Sequence, residues 1–333
     1  MIEGLTFALL VVLGLAVLFD YINGFHDTAN AIATSVSTRA LRPQYAIVMS
    51  AAANFLGAFT GQEVAKTVGS GLISHQAEGQ TVVAAALIGA IAWNLLTWRL
   101  GIPSSSSHAL IGGLLGSAAA AAGFASWNLG GIVGKVLVPL VTSPVAGFVL
   151  ALLLMVIIFN VFRWAHPRAM NDVFRRLQVL SAAFMAFSHG SNDAQKTMGV
   201  MTLALFSAGV IPEFRVPVPV IIAAATAMSL GTAAGGWRII RTMGTRVVKL
   251  DPVHGFAAET TAASVIVTAS HFGMPVSTTH VISGAIMGVG SSDRFNAVRW
   301  AVARNIGIAW LLTIPASATV AALAYLVLRP LLG

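Results

Sequence analysis

Two aspartates are the residues in this chain best placed to do chemistry. Asp27 stands in Gly24-Phe25-His26-Asp27-Thr28-Ala29-Asn30, and Asp193 stands in Gly190-Ser191-Asn192-Asp193-Ala194-Gln195-Lys196, 166 positions further on. Both lie in long apolar sequence, where a carboxylate is costly to keep and marks a place that binds a cation, a proton or a substrate. A water-facing helix end would explain either aspartate alone, but their recurrence at one place in a repeat argues against it. His26, beside Asp27, changes charge near neutral pH, whereas its counterpart Asn192 does not. Asn30 likewise stands where the second copy has Lys196, which would neutralise Asp193 or help to hold an anion. The copies keep the acids and diverge around them, at positions suited to a coupled cation or proton.

Hydroxyls form the second constellation. Ile102-Pro103-Ser104-Ser105-Ser106-Ser107-His108 recurs as Met274-Pro275-Val276-Ser277-Thr278-Thr279-His280, 172 positions on. Proline suits the start of a helix, because its missing N–H is one of the unpaired donors there anyway. Ser105, Ser106 and Ser107, and Ser277, Thr278 and Thr279, would then occupy two first turns. Free backbone N–H groups, hydroxyls and the positive end of the helix dipole make an anion site without arginine. Two such ends meeting from opposite sides would surround a tetrahedral oxyanion. Ordinary N-capping explains one copy alone; the pair favours the anion. His108 and His280 close the two clusters, either as hydrogen-bonded structure or as groups that position the helix start or the anion. Glu259 is either buried and coupled to this site or a carboxylate snorkelling from a helix end. Asp20 has no acid at the matching place in the second copy and reads as solvated or locally hydrogen-bonded. Glu63 and Lys66 read as a pair with each other.

These residues need elements to hold them, and the composition says which. The chain has 333 residues, 57% of them hydrophobic and only 9% charged, with mean hydropathy +0.84. Soluble domains carry about 25% charged residues, so a cytosolic enzyme is excluded, and apolar content this high excludes disorder. The net charge of +8 sits in loops between apolar runs, which fits the positive-inside rule better than nucleic-acid binding. There is no cysteine, hence no disulfide or thiolate metal site. About ten spans are expected: Leu5–Asn23, Gln44–Thr60, Thr81–Trp98, Pro144–Phe162, Leu177–Phe187, Thr197–Val210, Pro217–Gly235, Phe256–His271, and two in Ala297–Leu328 with a bend near Pro315. Leu5–Phe19 lacks a basic lead and a cleavage site and reads as a retained span. Ile102–Gly123 and Met274–Gly290 are too short and too rich in Gly, Ser and Pro to cross regularly, and read as re-entrant hairpins. Arg163–Arg176 and Arg238–Lys249 carry four basic residues each and read as cytoplasmic. The fold expected is all-α and polytopic, with two inverted repeats (1–165 and 180–333) joined by an amphipathic connector (166–179). Paired interrupted helices at matching positions point to a carrier's substrate site near the membrane midplane.

The four motifs, in this order, resemble the signatures of the PiT family of inorganic phosphate transporters over nearly the whole chain. The resemblance implies alternating access across the cytoplasmic membrane, a scaffold that commonly dimerises, and phosphate held with its coupling cations by the matching aspartates and hydroxyls. Sodium-coupled members resemble Gly-Ala-Asn-Asp-Val-Ala-Asn in both halves. Here His26, Gln195 and Lys196 depart from that pattern, which is nearer to the bacterial type that resembles proton-coupled uptake, partly as a neutral metal–phosphate complex. A proton is therefore favoured over sodium, with no cofactor and no resident metal. Sulfate is the alternative anion, but protonated phosphate offers a hydrogen that a carboxylate accepts and sulfate offers none. An intramembrane hydrolase is disfavoured, since neither Gly-x-Ser-Gly, Gly-x-Gly-Asp nor His-Glu-x-x-His is present. A channel is the remaining alternative.

Overall fold

The computed structural model describes residues 6–74 and 79–332; Leu5, the first residue of the first expected span, lies outside them. Its helices fall into two runs of six. The first is α1 (Phe7–Ser37), α2 (Pro43–Gly57), α3 (Glu63–Ser70), α4 (Gln80–Leu100), α5 (Ser106–Ala122) and α6 (Leu129–Val161). The second is α7 (Pro167–Ser207), α8 (Val218–Ala234), α9 (Trp237–Arg246), α10 (Pro252–His271), α11 (Thr278–Asp293) and α12 (Trp300–Leu332). Length and order match element for element. Even the punctuation matches: Gly101 and Gly273, with φ of +67° and +65°, end α4 and α10 two residues before Pro103 and Pro275. A left-handed residue there lets the chain turn sharply without the strain a Cβ would bring.

The two runs interleave. α1 packs along α8 and α2 along α7, while α4 and α5 lie against α12 and α11 lies against α6. The crossings are close because glycines face backbone: a Cβ on Gly24 would collide with the Met228 carbonyl of α8, and one on Gly190 with the Asn54 carbonyl of α2. Two apolar cores result. One joins Leu9–Phe19 of α1 to Ala194–Leu205 of α7 with α3, α4 and α5; the other joins Ala29–Ala33 of α1 to Phe174–Ala186 of α7 with α9, α10 and α11. The polar middles of α1 and α7 lie between these cores, and there both aspartates sit.

Several expectations are corrected. α1 and α7 run unbroken through the aspartate motifs. Leu177–Phe187 and Thr197–Val210 are parts of one 41-residue helix, whose opening turns also absorb the expected connector. The motif does not interrupt the backbone because its glycines are used for packing and its polar side chains find partners on other helices. Ala297–Leu328 is likewise covered by one helix with Pro315 inside. Neither Ile102–Gly123 nor Met274–Gly290 is itself a hairpin: each is an extended turn followed by a single helix, and the arm it folds against is α4 or α10. Pro103 and Pro275 precede the helix starts by more than one residue rather than opening the helices. Among the described residues, four helices are long and apolar enough to cross a membrane: α1, α4, α6 and α12. A fifth is the pair α8 and α9, bent by 60°. Leu153 and Ile157 on α6, and Leu311, Leu323 and Val327 on α12, are exposed, an apolar surface that needs lipid or another protein to cover it. Several apolar helices of this kind make a multi-pass membrane protein.

Candidate functional site

α1 and α7 deliver the acids, and α5 and α11 deliver two helix starts to the same place. Ser105 and Ser277 are the N-caps, their Oγ atoms accepting from the His108 and His280 N–H groups at 3.1 and 3.2 Å. Their hydroxyls are therefore committed to capping, which leaves Ser106, Ser107, Thr278 and Thr279 as the first-turn residues that face the acids. The backbone N–H groups of a first turn have no partner inside the helix, and here the hydroxyls of both first turns meet buried polar side chains of α1 and α7.

On the α1 side, His26 Nδ1 lies 2.5 Å from Asp27 Oδ1, and its Nε2 lies 3.1 Å from Thr97 Oγ1 on α4. Ser106 Oγ stands 3.5 Å from His26 Nδ1. Asn30 Nδ2 donates to Thr279 Oγ1 at 2.9 Å and reaches Thr278 Oγ1 at 3.3 Å. On the α7 side, Thr278 Oγ1 donates to Asp193 Oδ2 at 3.1 Å. Lys196 Nζ donates to Asp193, to Ser107 Oγ and, at 2.8 Å, to the Val276 carbonyl. Each half thus ties to the other half's helix start, Asn30 to α11 and Lys196 to α5. All of these side chains are buried, so their interactions act in a low-dielectric setting where charge and geometry weigh heavily.

His189 had not been singled out. It lies one turn before Asp193, with Nε2 3.1 Å from Asp193 Oδ2 and 4.0 Å from Asp27 Oδ2. Its orientation is set from behind: Nδ1 lies 3.1 Å from Asn54 Oδ1, and Asn54 Nδ2 donates to Thr232 Oγ1 at 2.9 Å. The ligand atoms of Asp27, His189 and Asp193 lie within 4.8 Å of one another. One imidazole nitrogen and two carboxylates, with the imidazole held by a second partner, form a donor set suited to a divalent cation. The spacing of four between His189 and Asp193 was visible in sequence; the contribution of Asp27 and Asn54 was not.

Other expected residues lie elsewhere. Asn192 donates to Ser270 Oγ at 2.6 Å and points to the end of α10, away from the aspartates. His108 and His280 meet one another at 4.8 Å between ring centres, and His280 stacks on Trp310 at 3.9 Å, behind the helix starts. Glu259 is buried, which removes the snorkelling alternative. It accepts from Thr34 and Ser181, each at 2.5 Å, and from Gln178 at 3.2 Å, clamping α10 to α1 and α7 two turns from the centre. Asp20 is buried rather than solvated; beside its local neighbour Asn23 it has a distant partner, Thr197 of α7, whose Oγ1 donates to its Oδ1 at 2.8 Å. Glu63 and Lys66 do pair, at 2.9 Å, on the surface.

With this geometry, the chain is similar to proteins of one kind. The sequence model of the Phosphate transporter family matches residues 23–169 and again 160–321. A probable low-affinity inorganic phosphate transporter of Bacillus subtilis (strain 168) is 48% identical over 324 residues, covering 96% of each chain. One of Rhizobium meliloti (strain 1021) is 51% identical, covering 96% of this chain and 97% of that one. A solved structure titled "The sodium-dependent phosphate transporter" superposes with a TM-score of 0.91 at 26% identity, over 98% of this chain and all of that one.

Proposed function

Because the chain belongs to the phosphate transporter family, and because two helix starts meet two buried aspartates inside it, we propose that it is a secondary active carrier of inorganic phosphate. It is a transporter and not an enzyme. Phosphate sits between the first turns of α5 and α11, held by their backbone N–H groups, by Ser106, Ser107, Thr278 and Thr279, and by the Lys196 ammonium. Asp27 and Asp193 accept hydrogens from the protonated anion or hold the cation that travels with it. Two carboxylates repel a phosphate dianion unless protons or a cation intervene, so coupling follows from charge: only the jointly loaded site is near neutral and cheap to carry across. Proton coupling is favoured, because Lys196 already places a positive charge beside Asp193. The donor set of Asp27, His189 and Asp193 supports a divalent metal carried with phosphate as cargo.

The carrier works by alternating access in the cytoplasmic membrane, with 1–165 and 180–333 as inverted repeats joined by the opening turns of α7 (166–179), and a second copy of the chain as partner across its apolar outer face. The meeting of the two helix starts with the two aspartates carries this reading. Likeness to a sodium-dependent transporter favours a second one, in which sodium is the coupling ion. Radiolabelled phosphate uptake into proteoliposomes tests both. Accumulation driven by a pH gradient and abolished by Asp27→Asn is expected. Accumulation that needs a sodium gradient selects the second reading. Uptake blocked by excess sulfate, or fully retained in Asp27→Asn, refutes the assignment of the site.

A further inference from the structure

We propose that Asp20 is the group that binds and releases the coupled proton, an inference that rests on the proton-coupled reading above. Asp20 lies on α1 two turns before Asp27 and is fully buried. Its Oδ1 accepts from Thr197 and the Asn23 side chain, one turn on, supports the carboxylate, but Oδ2 has no donor at normal hydrogen-bond distance. A fully buried carboxylate that makes no ion pair and leaves one oxygen without a donor is expensive. A proton on Oδ2 removes the charge.

Among the described residues, the charged groups that face Asp20 come from α7: Asp193, which repels a second negative charge, and Lys196. Lys196 is engaged by Asp193, Ser107 and the Val276 carbonyl. α4, packed on the same stretch of α1, has Arg99 at its far end as its one ionisable residue, and α8 has none. Among the described residues no cation pairs with Asp20, so the proton neutralises it.

Coupling follows from who holds whom. α7 carries Asp193 and Lys196 in the phosphate site and, on the next residue, Thr197, which holds Asp20. A movement of α7 against α1 that opens the phosphate site also withdraws Thr197 and admits water to Asp20. The hydrated carboxylate gives its proton to solvent on the side where phosphate leaves, the empty carrier returns with Asp20 ionised, and the next proton is taken up with the next phosphate. The device is present once, because the position 166 residues on is Ala186.

Asp20→Asn mimics the permanently neutral group. In proteoliposomes the wild type should accumulate phosphate under a gradient of one pH unit, which sustains about a tenfold ratio per coupled proton. The variant should lose that accumulation while exchanging labelled for unlabelled phosphate, with no gradient, within about twofold of wild type, since exchange requires no net proton release. Asp20→Glu should restore accumulation. Wild-type accumulation driven by sodium and not by pH would overturn the coupling reading and this inference with it. pH-driven accumulation retained in Asp20→Asn would overturn the inference alone. So would loss of exchange in the same variant, which would place Asp20 in the phosphate site or the fold.

Discussion

Replacing Lys196 with methionine removes an ammonium and keeps a flexible stem, which isolates what the charge does. In the native chain that ammonium touches Asp193, Ser107 and the Val276 carbonyl, joining α7 to the first turn of α5 and to the turn before α11. Its loss leaves the Asp193 carboxylate buried with His189 and Thr278 as partners. Breaking a buried pair by removing one member costs about 3–5 kcal/mol, because the other charge stays behind. In an Asp193→Asn background no charge is stranded, and the same replacement should cost about 1 kcal/mol, the net worth of an ordinary hydrogen bond. The double-mutant cycle should therefore return an interaction energy of about 2–4 kcal/mol. Reversible unfolding of the four proteins in mixed detergent–SDS micelles measures it. For transport, loss of a charged hydrogen bond to phosphate, about 1.5–3 kcal/mol, should raise the phosphate concentration at half-maximal uptake by roughly 10- to 150-fold. If the two substitutions were additive within about 0.5 kcal/mol, the bridge would have no structural role. If half-saturation did not move, Lys196 would not hold the anion.

Two further predictions concern groups around the centre. Asn54→Ala leaves His189 Nδ1 unheld, and loss of such an orienting partner typically weakens metal binding about 10- to 100-fold; the divalent-cation concentration for half-maximal phosphate uptake should rise accordingly, and an unchanged requirement would remove His189 from the cation site. Asp251 caps α10 outside the spanning helices, and its Oδ1 accepts from His254 at the backbone N–H (3.1 Å) and lies 2.7 Å from the ring Nδ1. Partial burial pushes its acidity down, but the His254 contacts outweigh this and hold the carboxyl below the usual carboxylate range. A carboxyl depressed in the folded state stabilises it above the unfolded value of about 4 and loses that contribution as pH falls through and below it. Thermal unfolding between neutral and acid pH should show a steeper loss in the wild type than in Asp251→Asn; parallel curves would refute the assignment.

The repeat was legible because its motifs are local: Asp27 and Asp193 announce themselves by their neighbours, and the Pro-x-Ser clusters by their hydroxyls. What could not be read was how a polar motif in an apolar run is accommodated. Sequence suggested a broken helix, yet α1 and α7 continue, since Gly24 and Gly190 admit a neighbouring backbone and the acids are met by side chains from α5 and α11. Asp20 was half legible for the same reason: its neighbour Asn23 is local, but its partner Thr197 is 177 residues away. The pairing of Asn54 with His189, 135 residues apart, leaves no periodicity to detect. Glu259 was ambiguous because burial of a helix-end carboxylate depends on which helices close over it, here α1 and α7.

The crossed ties between the halves also set a timetable for biogenesis. Asn30 waits for Thr278 and Thr279, 248 and 249 residues downstream. At a synthesis rate of roughly 5–20 residues per second, that is about 12–50 s during which α1 has been made and Asn30 lacks its partners. A nascent chain in this interval holds Asp20, Asp27 and Asn30 in a half-built bundle, unable to close either helix start. The quality of the finished protein therefore depends on what shelters α1 until α11 emerges. Substitutions that leave the mature fold intact but expose α1 during that interval should show themselves as loss of protein, not as loss of transport per molecule.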